Sequence, residues 1–159
     1  MKFGKETTIT AGGKSFRLAR FETRHEPVIV AWAAAKLPDP LTAIKDRLHE
    51  FPPAVQRLIV SEAVSQVGRK RSMADPAIQD VLATVEGVEH VATVLLRECH
   101  PELSEDDALS FIRLFVQEHG WQALELAIVQ TEGRQPLTRQ EAQEQVLTEA
   151  GLLEKKTGQ

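Results

Sequence analysis

The sequence predicts a mainly α fold of the α+β kind, with a short N-terminal β-hairpin ahead of a bundle of six or seven short helices. Three observations lead there. Residues 5–21, KETTITAGGKSFRLARF, alternate polar and apolar side chains around Gly12–Gly13. From residue 39 onward, apolar residues recur at spacings of three and four, the period of a helix with one buried face. Asp39–Pro40 and Asp75–Pro76 each set a capping carboxylate before a proline suited to the first helical position. The expected organisation is a hairpin element over 1–25, a helical domain over 26–150 and a flexible tail over 151–159.

The elements follow in order. Thr8 and Thr10 flank Ile9, and Phe16 and Leu18 alternate with Ser15 and Arg17, as a pleated surface requires. Gly12 and Gly13 supply the positive φ of a tight hairpin turn. Such a hairpin is marginal alone and must pack on something. In EPVIVAWAAAK (26–36), Pro27 and the alanines favour a helix while Val28, Ile29 and Val30 favour a strand; a helix is expected. Leu41, Ile44, Leu48 and Phe51 then share one helical stripe, stopped by Pro52–Pro53. Val55, Leu58, Ile59, Ala63 and Val67 form the next stripe, which ends at Gly68 with Arg69, Lys70 and Arg71 where the helix dipole favours positive charge. Ile78, Val81, Leu82 and Val85 make the apolar face after Asp75–Pro76, with a break expected near Gly87. Val88, Val91, Ala92, Leu95 and Cys99 continue at helical spacing.

Pro101 disfavours helical geometry at His100, so this helix ends near Cys99. Ser104 and Asp107 have capping-box spacing, and Glu105, Asp106 and Asp107 complement the dipole of the next helix. Its stripe runs through Ala108, Phe111, Ile112 and Phe115 to Gly120. Another helix carries Trp121, Leu124 and Ile128, and TEGRQP (131–136) is expected to be a loop. Thr138 and Glu141 form a further capping box for a last helix with Ala142, Val146 and Leu147, ending at Gly151.

Composition narrows the function. With 159 residues, 42% apolar and 26% charged, the chain has the makings of an ordinary globular core. A net charge of −4 gives no overall attraction for nucleic acid or anionic membrane. One cysteine forms no internal disulfide, and the N-terminus has no apolar run like a signal-peptide core, so a cytoplasmic setting is expected.

The chemical candidates resolve into packing. Cys99 and His100 are neighbours, and neighbours on a helix point roughly 100° apart, which does not suit a shared metal. His25, His49, His90 and His119 form no pair at metal-ligand spacing. A nucleophilic Cys–His pair also needs a third orienting group. Cys99 therefore closes an apolar stripe, and His100 stands at the helix end. Glu98, Glu102, Glu105, Asp106 and Asp107 lack the ligand alternation and central glycine of a calcium loop. Arg69–Lys70–Arg71 has no interleaved aromatics, and three charges bind nucleic acid weakly. Gly12–Gly13–Lys14 lacks the full spacing of a phosphate loop. Trp32 and Trp121 suit either the core or an interface. No catalytic, cofactor or metal site is expected, and the chain is read as acting through surfaces. Phe51, Phe115 and Trp121, large apolar groups near helix boundaries, are the candidate interface residues.

One combination has a family likeness. A hairpin carrying GGKSFRL leads into helices bounded by LPDPL, FPPAVQ and DPAIQ, then EGVEHVATVLLRECHPELSEDDALSFI. This resembles the tail assembly chaperones of long-tailed bacteriophages and prophages, over about residues 6–120. The matching segment, Val88–Ile112, is an apolar helix ending in Arg, a His-Pro break and an acidic helix start. The resemblance implies a non-enzymatic protein, without cofactors, that binds the tape-measure protein or tail-tube subunits and leaves the finished particle. It also implies possible self-association and, in some members, a frameshifted longer form. Two other classes stay open. One is a phage structural component such as a head–tail connector or minor virion protein. The other is a helical DNA-binding or regulatory protein, though the acids in RQEAQEQ (139–145) argue against phosphate contact. An enzyme of another type would need a pair of perturbed ionisable groups in a pocket.

Overall fold

The computed structural model describes residues 4–67 and 69–133. Two antiparallel strands, β1 (Thr7–Ala11) and β2 (Lys14–Leu18), precede seven α-helices among the described residues. The helices are α1 (Glu26–Lys36), α2 (Pro40–Lys45), α3 (Pro53–Val67), α4 (Pro76–Leu82), α5 (Val85–Cys99), α6 (Glu105–His119) and α7 (Trp121–Glu132). Short 3-10 turns at Thr23–His25 and Leu48–Glu50 punctuate the connections. The mainly α fold with an N-terminal hairpin is therefore observed. The further capping box at Thr138, the last helix to Gly151 and the tail over 151–159 lie outside the described residues, as does Gly68.

Alternation produces the hairpin as expected. Ile9 pairs with Phe16 and Ala11 with Lys14, and Gly12 and Gly13 turn the chain at φ +56° and +74°. Ile9, Ala11 and Leu18 point into the protein and are buried. The support that the hairpin needs comes from α5, α6 and α7, which pack under it. Leu95, Leu96, Ile112 and Leu124 lie fully buried in that core, with Ile29 of α1 beside them. Each such side chain contributes roughly 1.5–3 kcal/mol relative to exposure. The backbone is tied down as well: Ala19 N donates to Leu95 O at 3.0 Å and Phe21 N to Thr131 O at 3.1 Å.

The caps work as their residue types require. Asp39 accepts from Leu41 N, Asp75 from Ala77 N, Thr84 from Gly87 N and Ser104 from Asp107 N. Arg71 also binds Asp75, at 2.8 Å, so the basic run serves the start of α4 with at least one of its members. That hydrogen bond holds the Asp75 carboxyl below its ordinary value, against burial that pushes it up.

Four expectations need correction. The stripe from Leu41 to Phe51 is not one helix: α2 stops at Lys45, Arg47 N bonds back to Ile44 O in a tighter turn, and Phe51 is extended before Pro52. Val85 is not on the apolar face of α4. It is 61% exposed, because the chain breaks at Ala83–Thr84 and starts α5 anew. Gly87 is no break. It sits in the first turn of α5 where a Cβ would come within 2.3 Å of Val81 O, so it marks a close crossing of α4 and α5. Finally, Thr131 and Glu132 belong to α7 rather than to a loop, and Gly133 ends it in the left-handed conformation.

Candidate functional site

The α2–α3 hairpin differs from the rest of the fold. Its substantial packing is internal, α2 against α3, while the other elements pack around the central core. Of α3, only Ala63 is buried. Leu58 is 71% exposed, and Val55, Val64 and Val67 are exposed with it. Val60, Val64 and Val67 fall on one face by their spacing of four and three, and Val55 and Leu58 fall on another. A helix with apolar and polar residues mixed round its circumference, as here with Gln56, Arg57, Ser61 and Glu62 among the valines, has no single face to bury. This one is covered along a single stripe. The stripe expected from Val55 to Val67 is thus buried only in part, because α2 is six residues long and has little to lay over it.

Three concavities mark this hairpin. One, of about 480 Å³, is lined by Pro40, Ala43, Ile44, Leu58, Ile59 and Ala63, with Glu62 and Gln66 at its polar side. A second, of about 430 Å³, lies among Leu48, Pro53, Gln56, Arg57, Val60 and Ser61. A third, of about 190 Å³, is bounded by Ala43, Ile44, Arg47, Leu48, Phe51 and Ile59. The first and third are lined mostly by apolar residues, while the second mixes Leu48, Pro53 and Val60 with Gln56, Arg57 and Ser61.

The expected interface residues separate. Phe51 is 38% exposed and lines the third concavity. Trp121 is partly buried against the core at the start of α7. Phe115 is 7% exposed within the core, so it presents little surface to a partner in the folded protein. The sequence reading missed Leu58, Val64 and Val67 as surface groups. A signal was available: α3 has no continuous polar face.

Cys99 and His100 go separate ways. Cys99 is a free, partly buried thiol at the end of α5, and burial pushes its pKa up, away from the thiolate. His100 Nε2 accepts from Arg17 N at 2.9 Å, while its ring meets the Phe16 ring edge-on at 5.0 Å. It therefore fastens β2 to the end of α5. Among the described residues, no three His, Cys, Asp or Glu side chains gather as metal ligands.

A second, more polar groove runs along α5 between α1 and the start of α6. A concavity of about 320 Å³ is lined by Val28, His90, Thr93, Arg97, Glu98 and Glu105 among others, and a smaller one beside it reaches Trp32, Glu89 and Arg113. Trp32 stacks on His90 with centroids 4.2 Å apart and planes 6° from parallel. Burial pushes the His90 imidazole below its ordinary value, opposed by Glu105. Arg113 binds Glu89 through two hydrogen bonds of 3.1 Å. The charged groups here largely satisfy one another, so this groove reads as a braced helix contact.

The fold and site define a mainly α protein with an exposed apolar helical hairpin. Comparison with protein-family models, curated proteins and solved structures finds no match to the chain. No helix among the described residues is long and apolar enough to cross a membrane.

Proposed function

We propose that the protein is a non-enzymatic assembly chaperone of the phage-tail type, which holds an amphipathic helical segment of a tape-measure protein or tail-tube subunit on its α2–α3 hairpin. The observation that supports this reading is the exposure of Leu58, Val64 and Val67 on a helix of which only Ala63 is buried. Large apolar side chains left exposed on two faces of one helix favour a binding role over a purely structural one. Neighbouring concavities that combine apolar and polar lining suit the side-chain anchors of an amphipathic helix at i, i+3, i+4 and i+7. The resemblance over residues 6–120 supplies the partner's class. On this reading the groups around Cys99 and His100 serve folding, and the work is done by surface.

The test is purification of the tagged protein from its host with mass spectrometry of what co-purifies, set beside the composition of finished particles. Recovery with the tape-measure or tail-tube protein, together with absence from particles, is the expected result. Presence in purified particles moves the protein to the structural components of the virion. Recovery with DNA overturns the reading.

A further inference from the structure

We infer that the Arg17 and Glu22 amides, at either end of the link from β2 to α1, are each held by a histidine ring that must be neutral, and that proton uptake by His100 and His25 breaks these two contacts while Ala19 and Phe21 keep the link attached between them. Each ring nitrogen faces a backbone N–H. Arg17 N donates to His100 Nε2 at 2.9 Å, and Glu22 N donates to His25 Nδ1 at 3.0 Å. A backbone N–H always donates, so the ring nitrogen must hold its lone pair. An imidazolium has none to give, and protonation removes both contacts outright.

Each ring also has a second partner within reach. His100 Nδ1 lies 3.4 Å from Glu102 Oε1, and His25 Nε2 lies 3.9 Å from Glu98 Oε2. In the neutral tautomer these are the nitrogens that carry the hydrogen, and a charge on the ring would add an ion pair to the same contact. His25 Nε2 is buried and has no hydrogen-bond partner as it stands. The other charged groups facing His25 are Glu22 and Arg24 on its own turn, Arg24 being paired to both Glu22 and Glu98. Beside His100, the Arg17 guanidinium is paired to Glu6. Each ring thus has one nitrogen that must stay unprotonated for its contact and another, facing a carboxylate, that carries the hydrogen in both forms, so protonation changes only the first.

The far end of the hairpin is built the other way. His119 Nε2 lies 2.7 Å from Thr10 O and must donate, which a protonated ring does equally well. Gly12 N donates to the Glu118 carboxylate. Acidification therefore loosens the Arg17 and Glu22 amides while Ala19, Phe21 and the turn at Gly12–Gly13 stay attached.

Amide hydrogen exchange followed by NMR on the full chain tests this at about pH 7.5 and about pH 5, with rates corrected for intrinsic chemistry. Protection at Arg17 and Glu22 is expected to fall about tenfold or more in acid, with less than about a twofold change at Ala92 and Ile112. The double variant His100→Gln, His25→Asn keeps a neutral acceptor near each position and is expected to lose the pH dependence. Equal protection of Arg17 and Glu22 at both pH values in the unaltered chain overturns the inference, even if the variant does not fold. So does an undiminished acid loss in a folded double variant.

Discussion

Cys99 ends α5 with its thiol partly buried, and the consequence is chemical quiet. Burial raises its pKa, so at neutral pH it carries less thiolate than a free cysteine. Reaction with a disulfide reagent is expected to be slow near pH 7.5 and to accelerate only at more alkaline pH than for a free thiol. Cys99→Ser is expected to lower stability by about 1 kcal/mol and to leave partner binding unchanged. A folded Cys99→Ser protein without binding would contradict a purely structural role for this thiol. His90 offers an optical readout through its stack on Trp32. Burial depresses its pKa, so stability is complete above the ordinary histidine value of about 6.5 and is lost as pH falls through the folded-state value. In a Trp121→Phe background, Trp32 emission is expected to be quenched in acid with a midpoint below about 6.5. Quenching with a midpoint above that would contradict the buried setting of the ring.

Among elements, the crossing of α4 and α5 is a tight contact that one substitution can probe. An added Cβ at Gly87 meets the Val81 carbonyl, the Leu82 backbone and nothing that swings aside. Gly87→Ala is expected to destabilise by about 1–3 kcal/mol in urea titration, despite the better helix propensity of alanine. An increase in stability would show that α4 moves away freely. The same junction shows where sequence legibility ends. The hairpin, α5 and α6 could be read residue by residue, because Gly12–Gly13, Pro101 and Ser104 act locally and their stripes have one clear face. Gly87 could not: a glycine needed for close approach and a glycine that breaks a helix look alike in sequence. The early end of α2 was hidden for a related reason. Leu48 and Phe51 continue the spacing of Leu41 and Ile44, but no third element covers them, and the backbone tightens at Arg47 instead.

At the scale of the whole molecule, two regions differ in how their apolar surface is spent. The hairpin, α5, α6 and α7 bury theirs around Leu95, Leu96, Ile112 and Leu124. The α2–α3 hairpin keeps much of its own exposed. That division was only half-legible. Periodicity marks apolar residues that tend to be covered, but it does not say whether the cover comes from the same chain. Phe115 shows the same gap, since its place near a helix end said nothing about how far the core covers it. The most direct test of the account pairs Leu58→Glu with Val64→Glu in one chain and measures binding of a tape-measure helical segment by calorimetry, with thermal unfolding as the control. Both side chains are exposed, so the melting temperature is expected to stay within a few degrees while affinity falls at least about tenfold. Unchanged affinity in a variant that melts like the parent would contradict the claim that this hairpin is where the partner binds.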